Sequence, residues 1–216
     1  LLALLEPEVF VINAPRGDQK ANEKLYILEF GRWIPPTIVS NQPDRIERFQ
    51  LENRIDLILK PLDQKGGTGI KLFRRKAKDR RKLLNQMTRR GTQWIMAQKY
   101  LSENDTQGDK RILLLNGKGI GQFRKVPKPG EFRANLSLGG TYVRASLTDR
   151  ERQLVRALGP TLRRDGLYFV GIDVVAGFLI EINVTSPAGI PEINELEGKH
   201  PEVQVVDFLE SMVWSR

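Results

Sequence analysis

In the stretch YFVGIDVVAGFLIEINVTSP, Tyr168 to Pro187, three polar residues interrupt segments that are otherwise apolar and β-prone: Asp173, Glu181 and Asn183. Two carboxylates and an amide oxygen are hard donors of the kind that Mg²⁺ or Mn²⁺ takes. Such ions leave ligand positions for phosphates, whereas neighbouring anions without a cation repel. Asp173 and Glu181 lie eight apart around Gly177. A two-residue turn at Ala176-Gly177 pairs position 173 with 180 and turns Glu181 to the other face. An odd-membered or bulged turn pairs 173 with 181, and Asn183 then shares their face by strand period. The plainer reading of the same residues is the polar face of a solvated sheet.

Three further groupings could handle anions. In LILKPLDQKGGTG, Lys60 ends an apolar strand, where a cation has no packing purpose. Gly66, Gly67 and Gly69 can bring backbone N–H groups close to anionic oxygen. A plain β-turn is the alternative, and no helix-opening Lys-Ser/Thr follows, so this is not a Walker-type loop. In GDKRILLL, Asp109 and Arg111 sit where a loop enters a strand; Arg111 could hold a carboxylate or phosphate bidentately, or form a surface ion pair. In RKVPKPGEFRANLSLGG, Lys125, Arg133 and Asn135 fall in a glycine-bounded loop that could close over a reacting anion and exclude water. The only histidine, His200, lies in a polar GKHPE loop and is expected at the surface. With no cysteine, Ser–His and Cys–His catalysis lacks candidates.

Elements must position these groups. The chain has 216 residues, room for one domain or two lobes sharing a cleft. No apolar run reaches the length of a membrane span, and the opening LLALLEPEVFVIN lacks the basic start and cleavage site of a signal peptide. Val9–Asn13 reads as a short buried strand, APRGD as a turn, and ANEKLYILEFGRW as a short helix closing near Gly31. PDRIERFQLEN is an amphipathic helix with Ile46, Phe49 and Leu51 on or near one face. IDLILKPL and QWIMAQKYL are strands, SENDTQGDK a polar loop, and KRILLLNGKGIGQFRKVP a hairpin turning at Asn116-Gly117. In TDRERQLVRALGPTLRRDG, Thr148 caps a helix, Glu151 completes a capping box, and Gly166 ends it. PEVQVVDFLESMVWS is a closing helix. Helices alternating with hairpins predict an α+β protein with mixed sheets rather than a doubly wound one.

The net charge is +9, with the excess in Lys71–Arg90, a strand end followed by a charged helix. A solvated helix face accounts for it; nucleic acid or a polyanionic substrate are the functional readings. No aromatic residue alternates with the basic ones, which argues against single-strand binding.

ANEKL, ILKPLD-x-x-GG, AQ-x-YL, GDKRIL, FRANLSLGG, GPTL, GLYFVGIDV and EINVTSP occur in this order. With them the chain resembles prokaryotic-type glutathione synthetase, an ATP-grasp ligase, from about Val9 to the last helix. The resemblance implies an ATP-grasp fold of two lobes with mixed or antiparallel sheets and a nucleotide cleft between them. It implies residues 1–22 as a remnant of a substrate-side domain that such proteins carry in front, 23–101 as the small lobe, and 102–216 as the catalytic lobe. The implied activity joins γ-glutamylcysteine to glycine with ATP and Mg²⁺ or Mn²⁺. The implied setting is the cytoplasm, without nucleic acid or membrane, and a homo-oligomer is compatible with it. Lys24 and Lys60 would contact ATP phosphates under a loop with Gly66 and Gly67. Gln98, Tyr100 and Leu101 would line the adenine, and Asp109 the ribose. Arg111, Lys125 and Arg133 would act at the transferred phosphoryl group. Asn135, Gly139, Gly140, Thr185 and Ser186 would meet the peptide substrate, and Asp173, Glu181 and Asn183 the metal. Other outcomes consistent with the motifs are a ligase with a different acceptor, or a nucleotide-binding fragment that needs a separate N-terminal partner. Four positions depart from the family pattern: Gln64 in the phosphate loop, no proline after YL, Lys125 where arginine is usual, and Asp18-Gln19.

Overall fold

A computed structural model describes residues 1–6, 8–131, 133–134 and 139–214. The described residues form two units, 34–102 and 1–33 with 103–216.

The smaller unit is a four-stranded sheet. Its strands are β1 (Thr37–Ser40), β2 (Leu57–Pro61), β3 (Lys71–Phe73) and β4 (Ile95–Lys99), in the order β1-β4-β2-β3 with every pair antiparallel. Alternation sorts its side chains. Leu57, Leu59, Phe73, Ile95 and Ala97 pack with Ile46 and Leu84, which come from the helices Pro43–Asn53 and Arg80–Met87. The opposite face carries Lys60, Met96 and Gln98. Helix Pro43–Asn53 starts with proline at its first turn and ends on Arg54 in the left-handed region, φ 54°. Leu51 does not join its buried face. At 100° per residue it stands about 140° round from Ile46, and it is exposed. Gln50, four residues after Ile46, is buried instead; its amide nitrogen donates to the Phe73 carbonyl at 2.6 Å and its oxygen accepts from Arg80 at 2.9 Å.

The larger unit holds a five-stranded sheet. Its strands are β5 (Asp109–Leu115), β6 (Lys118–Val126), β7 (Thr141–Arg144), β8 (Phe169–Val175) and β9 (Phe178–Asn183), in the order β7-β6-β5-β8-β9, again antiparallel throughout. Of the mixed or antiparallel sheets expected, both are antiparallel among the described residues; hairpins supply the β5–β6 and β8–β9 pairs, and β5–β8 joins them. Asn116-Gly117 (φ 48° and 74°) and Ala176-Gly177 (φ 49° and 76°) make two-residue turns with both centres left-handed, the geometry that matches strand twist. Helix Asp149–Arg164 has the expected capping box at Thr148 and Glu151, buries Leu154, Leu158 and Leu162, and ends before Gly166 at φ 69°.

Several expectations change. Val9–Asn13 is not a strand. Its last residue fastens the segment by side chain: Asn13 donates to the Phe169 and Val184 carbonyls at 2.8 and 2.7 Å and accepts from Phe169 N at 2.7 Å. A polar side chain thus does what a ladder would otherwise do. APRGD opens a short helix, Pro15–Lys20, and the SENDTQ loop is a short helix, Glu103–Gln107. Residues 23–33, expected with the small lobe, stand with the larger unit, where Ile182 N donates to the Glu23 carbonyl at 3.0 Å. Among the described residues, no helix is long and apolar enough to cross a membrane.

Candidate active site

Within the larger unit, register places Asp109, Arg111, Lys125, Asp173, Glu181 and Asn183 on one sheet face. The pairs are Asp109↔Lys125, Arg111↔Asp173, Asp173↔Glu181 and Gly171↔Asn183. Farther along, the same face turns apolar: Leu113 and Phe123 pack against Ile193 of helix Ile190–Glu197. Both turn geometries weighed from sequence contribute. The turn at Ala176-Gly177 has two residues, and a bulge at Ile180 removes one residue from the ladder, so Glu181 rather than Ile180 faces Asp173.

Asp173 is the centre. Arg111 grips it bidentately, Nε to Oδ1 at 2.7 Å and Nη2 to Oδ2 at 3.0 Å, and Lys125 Nζ reaches Oδ1 at 3.1 Å. Asn183 Nδ2 lies 3.4 Å from Oδ2. Burial favours the neutral acid, but Arg111 and Lys125 outweigh it and hold the carboxyl far below the ordinary carboxylate range. Burial likewise opposes charge on Arg111 and Lys125, and Asp173 together with Asp109 more than offsets it in both, so both pKa values rise. Asp109 differs: burial pushes its carboxyl up to about 6 against the pull of Lys125. Lys125 Nζ is 3.0 Å from Asp109 Oδ1, yet that oxygen has no aligned hydrogen bond; the contact is one of charge. Lys125 is therefore a residue of β6, fixed between two carboxylates, and not part of a loop. Arg111 is likewise no surface pair. Its Nη1 also donates to the Ala188 carbonyl at 3.0 Å, an anchor whose only sequence signal is the turn-rich SPAGIP after EINVT. Gly171 leaves room for the guanidinium, since a Cβ there would lie 3.1 Å from Arg111 Nη1.

Glu181 is partly open to solvent, with Lys24 Nζ 3.4 Å from Oε1, and Lys24 itself is buried. Among the described residues there is no cluster of three or more Asp, Glu, His or Cys suited to a metal. Beside the two carboxylates stands the Asn183 amide, whose nitrogen points at Asp173 and the Gly171 carbonyl, leaving its oxygen as an acceptor. Two carboxylates and an amide oxygen on one face fit a hard divalent cation by donor chemistry.

In the smaller unit, Lys60 Nζ donates to Gln98 Oε1 at 2.9 Å, and Gln98 Nε2 donates to Thr37 Oγ1 at 3.0 Å. Gly66 and Gly67 have φ of 63° and 77°, a conformation that side chains resist. Tyr100 and Leu101 follow β4, with Leu101 buried. Thr185 and Ser186 are exposed just after β9. Arg133 holds Glu131 by two side-chain bonds, at 3.0 and 2.7 Å. Gly139 is left-handed at φ 79°, and a Cβ on Gly140 would meet the Ala134 carbonyl oxygen at 2.7 Å. Asn135 lies outside the described residues. His200 is exposed beside Glu202, as expected.

The family profile "Prokaryotic glutathione synthetase, ATP-grasp domain" matches residues 23–198. The chain is 44% identical over 209 residues to the glutathione synthetase of Thermosynechococcus vestitus, covering 96% of this chain and 65% of that protein. It is 43% identical over 211 residues to that of Synechocystis sp., covering 97% and 65%. The chain thus spans just under two thirds of the length of these curated relatives. Among solved structures, the ATP-grasp ligase PsnB complexed with a minimal precursor superposes with a TM-score of 0.69 at 20% identity, covering 95% of this chain and 65% of that one. This likeness speaks for the fold alone.

Proposed function

Since this chain belongs to the prokaryotic glutathione synthetase family and carries its ATP-grasp domain, we propose that it performs the ATP-dependent joining of γ-glutamylcysteine to glycine. The observation that carries the reading is the shared sheet face of Asp173, Glu181 and Asn183, with Arg111, Lys125 and Lys24 against the carboxylates.

A carboxylate is a poor electrophile, so its activation by ATP comes first. An oxygen of the dipeptide's C-terminal carboxylate attacks the γ-phosphorus, the bond to the bridging oxygen breaks, and ADP leaves. The glycine amine then attacks the acyl carbon; phosphate departs with the bond to its oxygen, and the amine's proton passes to solvent. No protein nucleophile is required, which suits a chain without cysteine. The protein's part is placement and charge neutralisation. Lys60, Lys24 and the N–H groups of Gly66 and Gly67 would meet the nucleotide phosphates. Gln98, Tyr100 and Leu101 would meet the adenine, and Asp109 the ribose. Arg111 and Lys125, held at Asp173, would offer their remaining N–H donors to the moving phosphoryl group. Asp173, Glu181 and Asn183 would hold Mg²⁺ or Mn²⁺, which supplies charge neutralisation at the phosphates. Arg133 would act at the same phosphoryl group, and Gly139, Gly140, Thr185 and Ser186 would lie at the peptide substrate, where exclusion of water would protect the acyl phosphate. Small molecules are then the partners, and the ATP-rich cytoplasm the setting.

The test supplies ATP, Mg²⁺ and γ-glutamylcysteine with a panel of amines to the purified protein. Glycine alone should accelerate ADP release and yield the tripeptide. Acceleration by a different amine would assign another acceptor, and ATP binding without turnover would indicate dependence on a separate polypeptide.

A further inference from the structure

The cationic segment that follows the glycine loop has no part in the chemistry just described. Lys71–Arg90 contains ten Lys or Arg and one Asp, a surplus of nine that equals the net charge of the whole chain, +9. The remaining residues are balanced. Four of these cations are committed to acids of the same unit: Arg74 and Arg75 approach Asp56 at 3.7 and 3.8 Å, Arg80 meets Glu47 at 3.1 Å, and Arg81 pairs with Asp44. The other six, Lys71, Lys76, Lys78, Lys82, Arg89 and Arg90, are exposed and have no ion-pair partner among the described residues. Unpaired like charges at this density repel one another and work against the folded state.

Geometry ties the segment to the loop at both ends. Lys71 opens β3 directly after the glycine loop. Arg89 and the loop residues Leu62 and Asp63 line one open depression of about 350 Å³, together with Thr92, Gln93 and Trp94. Arg89 and Arg90 are both held left-handed, at φ 45° and 56°, where glycine or asparagine is at ease and arginine is not. Retained strain of this kind points from conformation to function. Lys71–Arg90 itself exposes no large apolar side chain, although the exposed Trp94 lines the depression beside Arg89; the segment offers cations rather than the apolar anchors that protein and membrane contacts use.

We propose that Lys71–Arg90 is a collecting surface for nucleoside triphosphate: its unpaired cations draw the anionic nucleotide toward the adjoining glycine loop and speed its arrival without contacting it once bound. This rests on the reading of Lys60, Gly66 and Gly67 as nucleotide-phosphate contacts. Fields of this sort raise association rates by about 10- to 1,000-fold and fade with ionic strength. Arrival rate and residence time therefore separate the idea from ordinary binding.

The experiment is rapid mixing of the whole chain with a fluorescent ATP analogue between about 10 and 100 mM ionic strength, over which the screening length shortens from ~30 to ~10 Å. Adenosine carrying the same fluorophore is the uncharged control. Two variants are compared with the parent: K76Q/K78Q/K82Q, and R89G/R90G, which removes charge while relieving the backbone. Expected are an association rate that falls with salt for the parent, a lower and flatter rate for both variants, and dissociation rates unchanged. The control should show no salt dependence. Variants with the parent's association rate and salt slope would overturn the proposal alone. So would a loss confined to the dissociation rate, which would make these cations direct contacts. A parent that binds no ATP analogue at any salt would overturn the nucleotide reading and the proposal with it.

Discussion

Asp173 stands directly across the hairpin from Glu181, and it does so because Ile180 is bulged out of the ladder between them. Like charges directly opposed in a sheet destabilise it. Here the cost is offset by the bidentate Arg111 and by Lys125 on Asp173, and by Lys24 near Glu181. The face is thus built around charge, and its energetics can be tested apart from turnover.

Asp173→Asn should destabilise the protein by about 3–5 kcal/mol, since it leaves the buried Arg111 without its bidentate partner and Lys125 with Asp109 alone. Urea unfolding measures this. Asp173→Asn combined with Arg111→Met should regain part of the loss. A double variant as unstable as the sum of the two single ones would contradict the coupling.

Gly171→Ala separates fold from site. Its Cβ would come within 3.1–3.4 Å of Arg111 Nη1, Arg111 Cδ and Pro187 Cβ. The guanidinium must shift, so turnover should fall roughly 100-fold, as for misplacement of a positioning group, while the unfolding midpoint changes little. Gly108→Ala should instead fail as a fold: its φ is 68°, and the added carbon would lie 1.7 Å from the Lys125 carbonyl oxygen.

Much of this was legible in the sequence because it follows local rules. The turn at Asn116-Gly117, the capping box at Thr148 and Glu151, and the short apolar runs of β2 and β4 each depend on a few adjacent residues. What was not legible depends on distant partners. Asn13 reaches carbonyls more than a hundred and fifty residues away, so nothing near VFVIN reveals that it is not a strand. Gln50 looks like a solvent residue until the Phe73 carbonyl and Arg80 reach it. The bulge at Ile180 decides which of two registers holds, and sequence spacing alone admits both. Lys125 looked like a loop residue because only the fold reveals Asp109 and Asp173 on either side of it.

Glu151 predicts a pH dependence of stability. It accepts from Lys110 Nζ at 2.5 Å and from Thr148 N at 2.7 Å. Burial favours its protonated form, but Lys110 and the Thr148 donors outweigh it and hold the carboxyl below its usual 4.5. A depressed carboxylate contributes stability above its unfolded pKa and loses it as pH falls through the folded one. Glu151→Gln keeps the capping acceptor and loses the charge pairing. Its deficit against the parent, measured by thermal melts, should be full at neutral pH and should shrink as pH drops below about 4.5. A deficit that stays constant into acid would contradict the assignment.

The central claim is that Asp173, Glu181 and Asn183 hold a divalent cation beside ATP. Electron paramagnetic resonance of Mn²⁺ with ATP, comparing the parent with Glu181→Gln, tests it most directly. The parent should bind the Mn²⁺–ATP complex and lose the signal of the unbound complex, and Glu181→Gln, folded and melting normally, should leave most of it in solution. Equal capture of Mn²⁺–ATP by both proteins would contradict the claim.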